Sequence, residues 1–402
     1  VIPFAEALTR LLGRARPVGV ERVGLAEAAE RVLAEDLVAR APLPFFDYSA
    51  MDGYALCRAD LADGGPTTLP VLGESAAGSA PGHLTPGSAC RIFTGAPLPA
   101  GADAVVPQED VSREGDAATF PRAPAAGAFV RRRGADLTEG ALALRRGARL
   151  GPGQLALAAG LDRPHLLVAR RPSVSILATG DELRAPGEPG PLGSIPESNA
   201  YFVAAAARLA GATARVGPFV PDRLEAARAA VNEALAGADL LVTIGGVSVG
   251  DHDVVRPALE AAGVSLDFWR VAMKPGKPLA VGHLGDTLVL GLPGNPASAS
   301  LTFLLFGIPL LRALAGEPRP LPRRRRLPID GSLARSPGRE EFLRARLDVG
   351  DEGTRARLLP NQASGAVTSF AEADALVVVP AAQGRVEAGE RLEVIELADV
   401  YR

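Results

Sequence analysis

The sequence predicts a multidomain α/β plus β protein. Its parts are a central doubly wound, Rossmann-like three-layer α/β domain, a small β-rich insert domain, a discontinuous helical linker domain and a small, β-barrel-like C-terminal domain. Three observations predict this. Residues 171–316 alternate apolar, β-prone runs with helical patterns across short links, the signature of a mainly parallel sheet covered on both faces. Residues 41–139 break into short runs punctuated by proline and glycine, as small β domains do. Two stretches of helical character, 1–40 and 140–170, flank that insert and are expected to pack together. The boundaries that follow are 1–40 with 140–170, 41–139, 171–318 and 319–402.

In chain order, Leu8, Leu11 and Leu12, then Leu25, Ala28, Ala29, Val32 and Leu33, recur at helical spacing with charges between them. The insert reads as strands and turns through PLPFFDYSAMDGYAL, IFTGAPLPAGADAVVPQED and RRRGADL, and GPGQLALAAGLDRPHLLVA returns to a helical pattern. In the central domain SVSILAT, ARVGPFV, LLVTI, LDFWRVA, PLAVG and TLVLGL read as strands. Helices are predicted at about 199–210, 222–236 and 253–262, and from about Pro296. EPRPLPRRRR is a linker, with Arg323 to Arg326 expected as a solvated boundary. FLRARLDV, ALVVVP and RLEVIEL supply the last strands.

At 402 residues the chain exceeds one ordinary domain. A formal charge of −3 gives no electrostatic reason to expect nucleic acid. Cys57 and Cys90 are the only cysteines, so no disulfide framework or thiolate metal site is expected, in keeping with a reducing cytoplasm. The longest apolar run, Leu301 to Leu311, is interrupted by Gly307 and Pro309 and falls short of the ~20 residues that span a bilayer. A cytoplasmic protein without a membrane partner is expected.

The stretch from Ala238 to Ser298 carries the clearest chemistry. GGVSVGDHD, with Gly245, Gly246 and Ser248, and PGNPAS, with Asn295 and Ser298, follow strand-like runs. Glycine-freed N–H groups and helix N-termini at such places favour anions. Lys274 and Lys277 in KPGKP are the only lysines, against 41 arginines (43 − 2), and Pro275 and Pro278 brace them. A lysine ammonium is a compact point charge that fits a small oxyanion site, although two lysines on a solvated turn give the same pattern. Asp251 and Asp253 could hold magnesium with phosphate oxygens, though a lone DxD is common. Elsewhere Ser49 and Asp52 in DYSAMDGYA, Thr94 in FTGAP, Asp136 after three arginines, and Asp181 and Glu182 in ATGDEL each combine polar groups in one turn. A turn, a surface ion pair or a helix cap is the plain alternative at each, and Asn295 and Ser298 are also placed to cap the helix that follows. The four histidines show no ligand spacing.

PLPFFDYSAMDGYA, IFTGAPLPAGADAVVPQED, RRRGADLTEG, ILATGDEL, TIGGVSVGDHDVV, FWRVAMKPGKP, LGLPGNPAS and NQASGAVTSFAEADALVVVP follow one another along the whole chain. This succession resembles the molybdopterin molybdenumtransferases, the bacterial MoeA family shared with the gephyrin E domain. The resemblance implies a MogA-like central domain and insertion of molybdate into adenylylated molybdopterin with Mg2+, releasing AMP and molybdenum cofactor. It also implies a homodimer in which the sheet domain of one subunit faces the insert domain of the other, and transient contact with the molybdopterin adenylyltransferase. Functional acids then fall on Asp52, Asp136, Glu182, Asp222 and Asp253 with Thr94, and basic positions on Arg270, Lys274 and Lys277. Substrate contacts fall on Ser49, Gly245, Gly246, Ser248, Pro278 and Asn295, with molybdate at Lys274, Lys277, Ser298, Arg344 and Ser369. Asp52 and Asp253 are the magnesium candidates. Arg270 departs from the lysine common at its position. An adenylyltransferase or nucleotide pyrophosphatase on the same α/β domain, and a binding scaffold, stay open beside this reading.

Overall fold

The computed structural model describes residues 1–62, 64–246, 254–351 and 353–401. The central domain holds a six-stranded sheet in the order Thr213–Val216, Ser173–Ala178, Leu240–Ile244, Thr287–Leu292, Pro278–Leu284, Ser265–Arg270. The first four strands are parallel, and Pro278–Leu284 runs antiparallel to both neighbours. Side chains alternate across the sheet as a period of two requires. Ile176, Val242 and Leu290 enter a core with the helix Asn199–Leu209 and the helical segment 296–314. Leu177, Leu241 and Val289 enter a second core with the helices Leu224–Leu235 and Val255–Ala261. Apolar rows on both faces thus dictate the three layers.

The helical segment 296–314 contains a widened turn, Phe303–Gly307, just before Pro309. A proline inside a helix lacks its N–H and clashes one turn back, and a widened turn absorbs the misfit. The segment is long and apolar enough to cross a membrane, but it is 94% buried inside the protein, so its apolarity is that of a core helix.

The stretch expected to be helical over residues 1–40 differs from that expectation. Only Phe4–Leu12 is α-helix, and it packs on the central domain, where Phe4 meets Phe306 and Phe342 edge-on. Val20–Gly24 is a strand paired with His165–Ala169, and Leu25–Glu27 is a single 3-10 turn. In the second stretch, helix is confined to Pro152–Gly160. Val23, Leu33, Leu37, Leu150, Leu166 and Val168 close the linker core.

The insert sheet has the order Ala104–Pro107, Gly53–Leu56, Ala89–Ile92, Thr67–Ser75, Ala117–Phe120, Ser112–Glu114. Beyond the linker, Arg324 and Arg325 are exposed and pair with Glu393 and Glu396. The C-terminal strands Glu340–Gly350, Gly353–Leu358, Arg325–Asp330, Arg391–Glu396 and Ala375–Val379 close into a five-stranded barrel, because the last pairs back with the first. Met273–Lys274, reaching out of the central domain, adds to the outside of Glu340–Gly350 in parallel, with Lys274 opposite Glu341. That pairing joins the two domains at KPGKP.

Candidate active site

The carboxyl ends of three central strands converge. Thr179 N–H donates to Ile244 O at 3.0 Å, and Gly245 N–H to Leu292 O at 3.1 Å. Gly245 has φ +87°, and a Cβ there would lie 2.9 Å from Thr179 O. Only glycine fits both the conformation and the approach. Asn199, opening its helix, donates Nδ2–H to Gly294 O at 2.8 Å, and Asp181 Oδ1 accepts from Asp222 N–H at 3.0 Å. Asp181 therefore tethers two loops and does not cap a helix. Glu182, Asp222 and Asn295 are exposed beside it, and Gly246 continues the turn with φ +62°. Asn295 occupies the N-cap position of its helix without a side-chain capping bond, and Ser298 lies within that helix, 4% exposed, so neither is the cap the sequence proposed. Ser248 and Asp253, with Asp251, lie outside the described residues.

At the same edge, KPGKP turns between Ser265–Arg270 and Pro278–Leu284. Val271 N–H donates to Lys277 O at 2.9 Å, and Arg270 and Pro278 are opposite one another in the ladder. Arg270, Lys274 and Lys277 are exposed. Gly276, with φ +99°, sits on the helix that carries Ser298, and a Cβ there would come within 2.5 Å of the buried Thr302 Oγ1. Gly276→Ala is expected to cost ~2 kcal/mol through strain and overlap and to displace both lysines, weakening oxyanion binding. Thermal melting together with a molybdate titration checks this.

The C-terminal domain completes this corner. Ala297 N–H donates to Ser364 O at 2.9 Å. Arg344, fully buried, donates Nε–H to Ser369 Oγ at 3.1 Å and Nη2–H to the carbonyls of Asn361 and Ala363 at 3.3 and 3.1 Å. Its Nη1 is buried and has no hydrogen-bond partner among the described residues. Burial pushes the Arg344 guanidinium down to about 10, opposed by the nearby Glu341 carboxylate. A buried cationic donor without an acceptor is costly.

A second group of predicted residues forms a separate cluster in the insert. Asp52 Oδ1 accepts from Thr94 N–H at 2.7 Å and from Thr94 Oγ1–H at 2.8 Å. The backbone bond from Thr94, then its hydroxyl, holds the Asp52 carboxyl below the ordinary range, so it stays ionised. Gly53 follows because a Cβ there would overlap the carbonyl of Val106 on the next strand. Ser49 corrects the expectation of a substrate contact. It is fully buried, its hydroxyl donates to Met51 O at 2.6 Å, and it shapes the Asp52 turn instead. Asp136 is exposed, and the arginines before it serve another acid: Arg132 and the Arg133 N–H bind Asp47. The hydrogen bonds of Asp52 and Thr94 stay inside the insert, and the ion pair of Lys274 and hydrogen bonds of Arg344 stay inside the central and C-terminal domains.

Sequence reasoning missed Glu341 and Arg335. Glu341, 3% exposed, forms an ion pair with Lys274 Nζ and accepts from Arg335 Nε, each at 2.5 Å. The only signal was an acid beside the REEFLR arginine. Among the described residues no group of three or more His, Cys, Asp or Glu side chains is placed to hold a metal ion.

Glycine loops at the carboxyl edge of a doubly wound sheet, with a basic corner braced by a second domain, define an α/β protein that takes an anionic small molecule. Three family models match in succession: the MoeA N-terminal region (domains I and II) over residues 2–161, the probable molybdopterin binding domain over 175–313, and the MoeA C-terminal region (domain IV) over 326–397. The chain is 38% identical to a molybdopterin molybdenumtransferase of Synechococcus elongatus, covering 99% of this chain and 100% of that one. It is 36% identical to one of Haemophilus influenzae, covering 94% of each. A crystal structure of the molybdopterin biosynthesis moeA protein from Pyrococcus horikosii superposes with a TM-score of 0.84 at 31% identity, covering 98% of this chain and 99% of that one. The chain belongs to the MoeA family of molybdopterin molybdenumtransferases.

Proposed function

We propose that this chain inserts molybdate into adenylylated molybdopterin, releasing AMP and molybdenum cofactor. The observation that carries this reading is Arg344: a buried guanidinium with an unused Nη1 donor, bound to Ser369, on the strand whose Glu341 pairs with Lys274. A tetrahedral dianion needs several cationic and hydroxyl donors, and this set supplies them without redox chemistry. The glycine turns at Gly245 and Gly246 suit the phosphates of the adenylylated substrate.

Asp52 gives Oδ1 to Thr94 and retains a second oxygen. Magnesium on phosphate substrates takes one or two carboxylates and completes its shell with phosphate and water. Asp52, with Asp253, would hold that ion, which when bound neutralises the phosphates as the phosphoanhydride opens. The same reading makes the active assembly a homodimer, places it in the cytoplasm and gives it transient contact with the adenylyltransferase that supplies its substrate. The free thiols of Cys57 and Cys90 accord with a reducing compartment.

The deciding experiment follows AMP release from purified protein with adenylylated molybdopterin and magnesium, with and without micromolar molybdate. Release that requires molybdate is expected. Release indifferent to molybdate would mean a pyrophosphatase, consumption of ATP an adenylyltransferase, and no turnover of either kind a scaffold.

A further inference from the structure

Lys274 and Lys277 are held differently. Lys277 meets no carboxylate among the described residues, whereas the Lys274 ammonium, on a half-exposed side chain, ends 2.5 Å from Glu341 Oε1. Glu341 is itself immobilised. Its other oxygen accepts from Arg335 Nε, and the Arg335 side chain is 2% exposed. Three of the four remaining Arg335 donors go to the carbonyls of Pro380, Gln383 and Arg339. Backbone register adds a second constraint, because Lys274 and Glu341 are opposite partners where the central domain's short strand joins the barrel, and Glu340 N–H donates to Ala272 O at 2.8 Å.

We infer that Glu341 is the positioning residue for Lys274. This rests on KPGKP being the oxyanion site. A lysine head on a four-carbon stem has three rotatable donors and loses side-chain entropy on being held. The Glu341 carboxylate, 2.5 Å away, holds the ammonium in place before the ligand arrives and leaves its exposed side for an oxyanion. Glu341 does not swing aside as a stand-in anion, because doing so would leave the buried Arg335 charge without its carboxylate. The barrel therefore contributes to molybdate binding twice, directly through Arg344 and indirectly through the carboxylate three residues earlier.

The test uses the full-length protein and sodium molybdate as the probe. Glu341→Asp keeps the charge but withdraws the carboxylate by one methylene. It is expected to weaken the molybdate Kd ~10-fold while the KM for adenylylated molybdopterin stays within ~2-fold; the loosened contact with Arg335 is read separately, by melting temperature. Glu341→Gln keeps the reach and an acceptor oxygen. Its expected loss is smaller, ~3-fold, and because it takes the charged partner from buried Arg335 its melting temperature is recorded beside the Kd. In a Lys274→Met background either change should add nothing further, because their effects pass through the same ammonium. The inference is overturned if Glu341→Asp binds molybdate like the native protein, if Glu341→Gln binds more tightly, or if the loss persists undiminished in Lys274→Met. It is equally overturned if the KM for the pterin substrate rises in parallel with a fall in melting temperature, which marks a merely structural role. If Lys274→Met by itself leaves the molybdate Kd unchanged, the oxyanion site is elsewhere, and that failure is visible before any Glu341 variant is compared.

Discussion

Arg344→Lys is expected to lower molybdate-dependent AMP release ~100-fold or more, although the formal charge is conserved. On the proposed reading arginine at this position does three things at once: Nε–H binds Ser369, Nη2–H binds the carbonyls of Asn361 and Ala363, and Nη1 is left for the ligand. A lysine head cannot occupy all three places, so either the carbonyls or the oxyanion lose their donor. Unpaired buried carbonyls cost ~1–3 kcal/mol each, and melting temperature should fall accordingly. The catalytic loss is separable by binding. Molybdate should raise the melting temperature of the native protein and do so much less in the variant, as ligand linkage requires.

The pH dependence gives this prediction a second readout. Burial lowers the Arg344 guanidinium to about 10, so it remains charged through neutral pH, and molybdate affinity should be flat on its account between pH 7 and 9. A lysine starts from a lower ordinary value, and the same burial disfavours its charged form, so it loses its proton earlier as pH rises. Molybdate affinity of Arg344→Lys should therefore decline already between pH 7 and 9, and titrations at both ends of that range check it. A profile as flat as the native one would mean that residue 344 does not contact the dianion.

What was legible in the sequence divides along local and non-local lines. The six strands of the central sheet were readable because each is a short apolar run bounded by turn residues, and LLVTI is buried at every position. The error over Leu25 to Leu33 has a definite cause. Ala28 and Leu33 do face one core, but Glu30 has φ +60° and Val32 and Leu33 bridge to Arg149 and Val168. An i, i+3, i+4 apolar pattern arises in a compact turn as readily as in a helix. KPGKP stood out through composition alone, since lysine occurs nowhere else. Glu341 did not, because its importance lies in a register between strands of two domains, which no local pattern encodes. Ser49 shows the reverse case: a hydroxyl in a motif, read as a contact, is consumed by its own turn.

The two clusters, Asp52 with Thr94 in the insert and Lys274 with Arg344 in the other corner, make the proposed dimer testable by subunit complementation. Asp52→Asn should be nearly inactive. The asparagine carbonyl oxygen can still accept both Thr94 bonds, but the charge that would accompany magnesium is gone. Lys274→Ala should be nearly inactive for lack of an oxyanion ligand. In a two-fold dimer whose sites each combine the insert of one subunit with the sheet domain of the other, a mixed dimer has one site carrying both defects and one carrying neither. With equal amounts and random reassortment, about half the dimers are mixed and each has one intact site of two, so activity should recover to about a quarter of native. Neither parent alone should show it, and a Lys274→Ala, Asp52→Asn double variant mixed with either parent should not restore it. If each subunit instead assembled its site from its own insert, every site in every dimer would carry one defect and the mixture would stay inactive. Refolding or co-expressing the two variants and measuring molybdate-dependent AMP release distinguishes the two arrangements without any structure of the dimer.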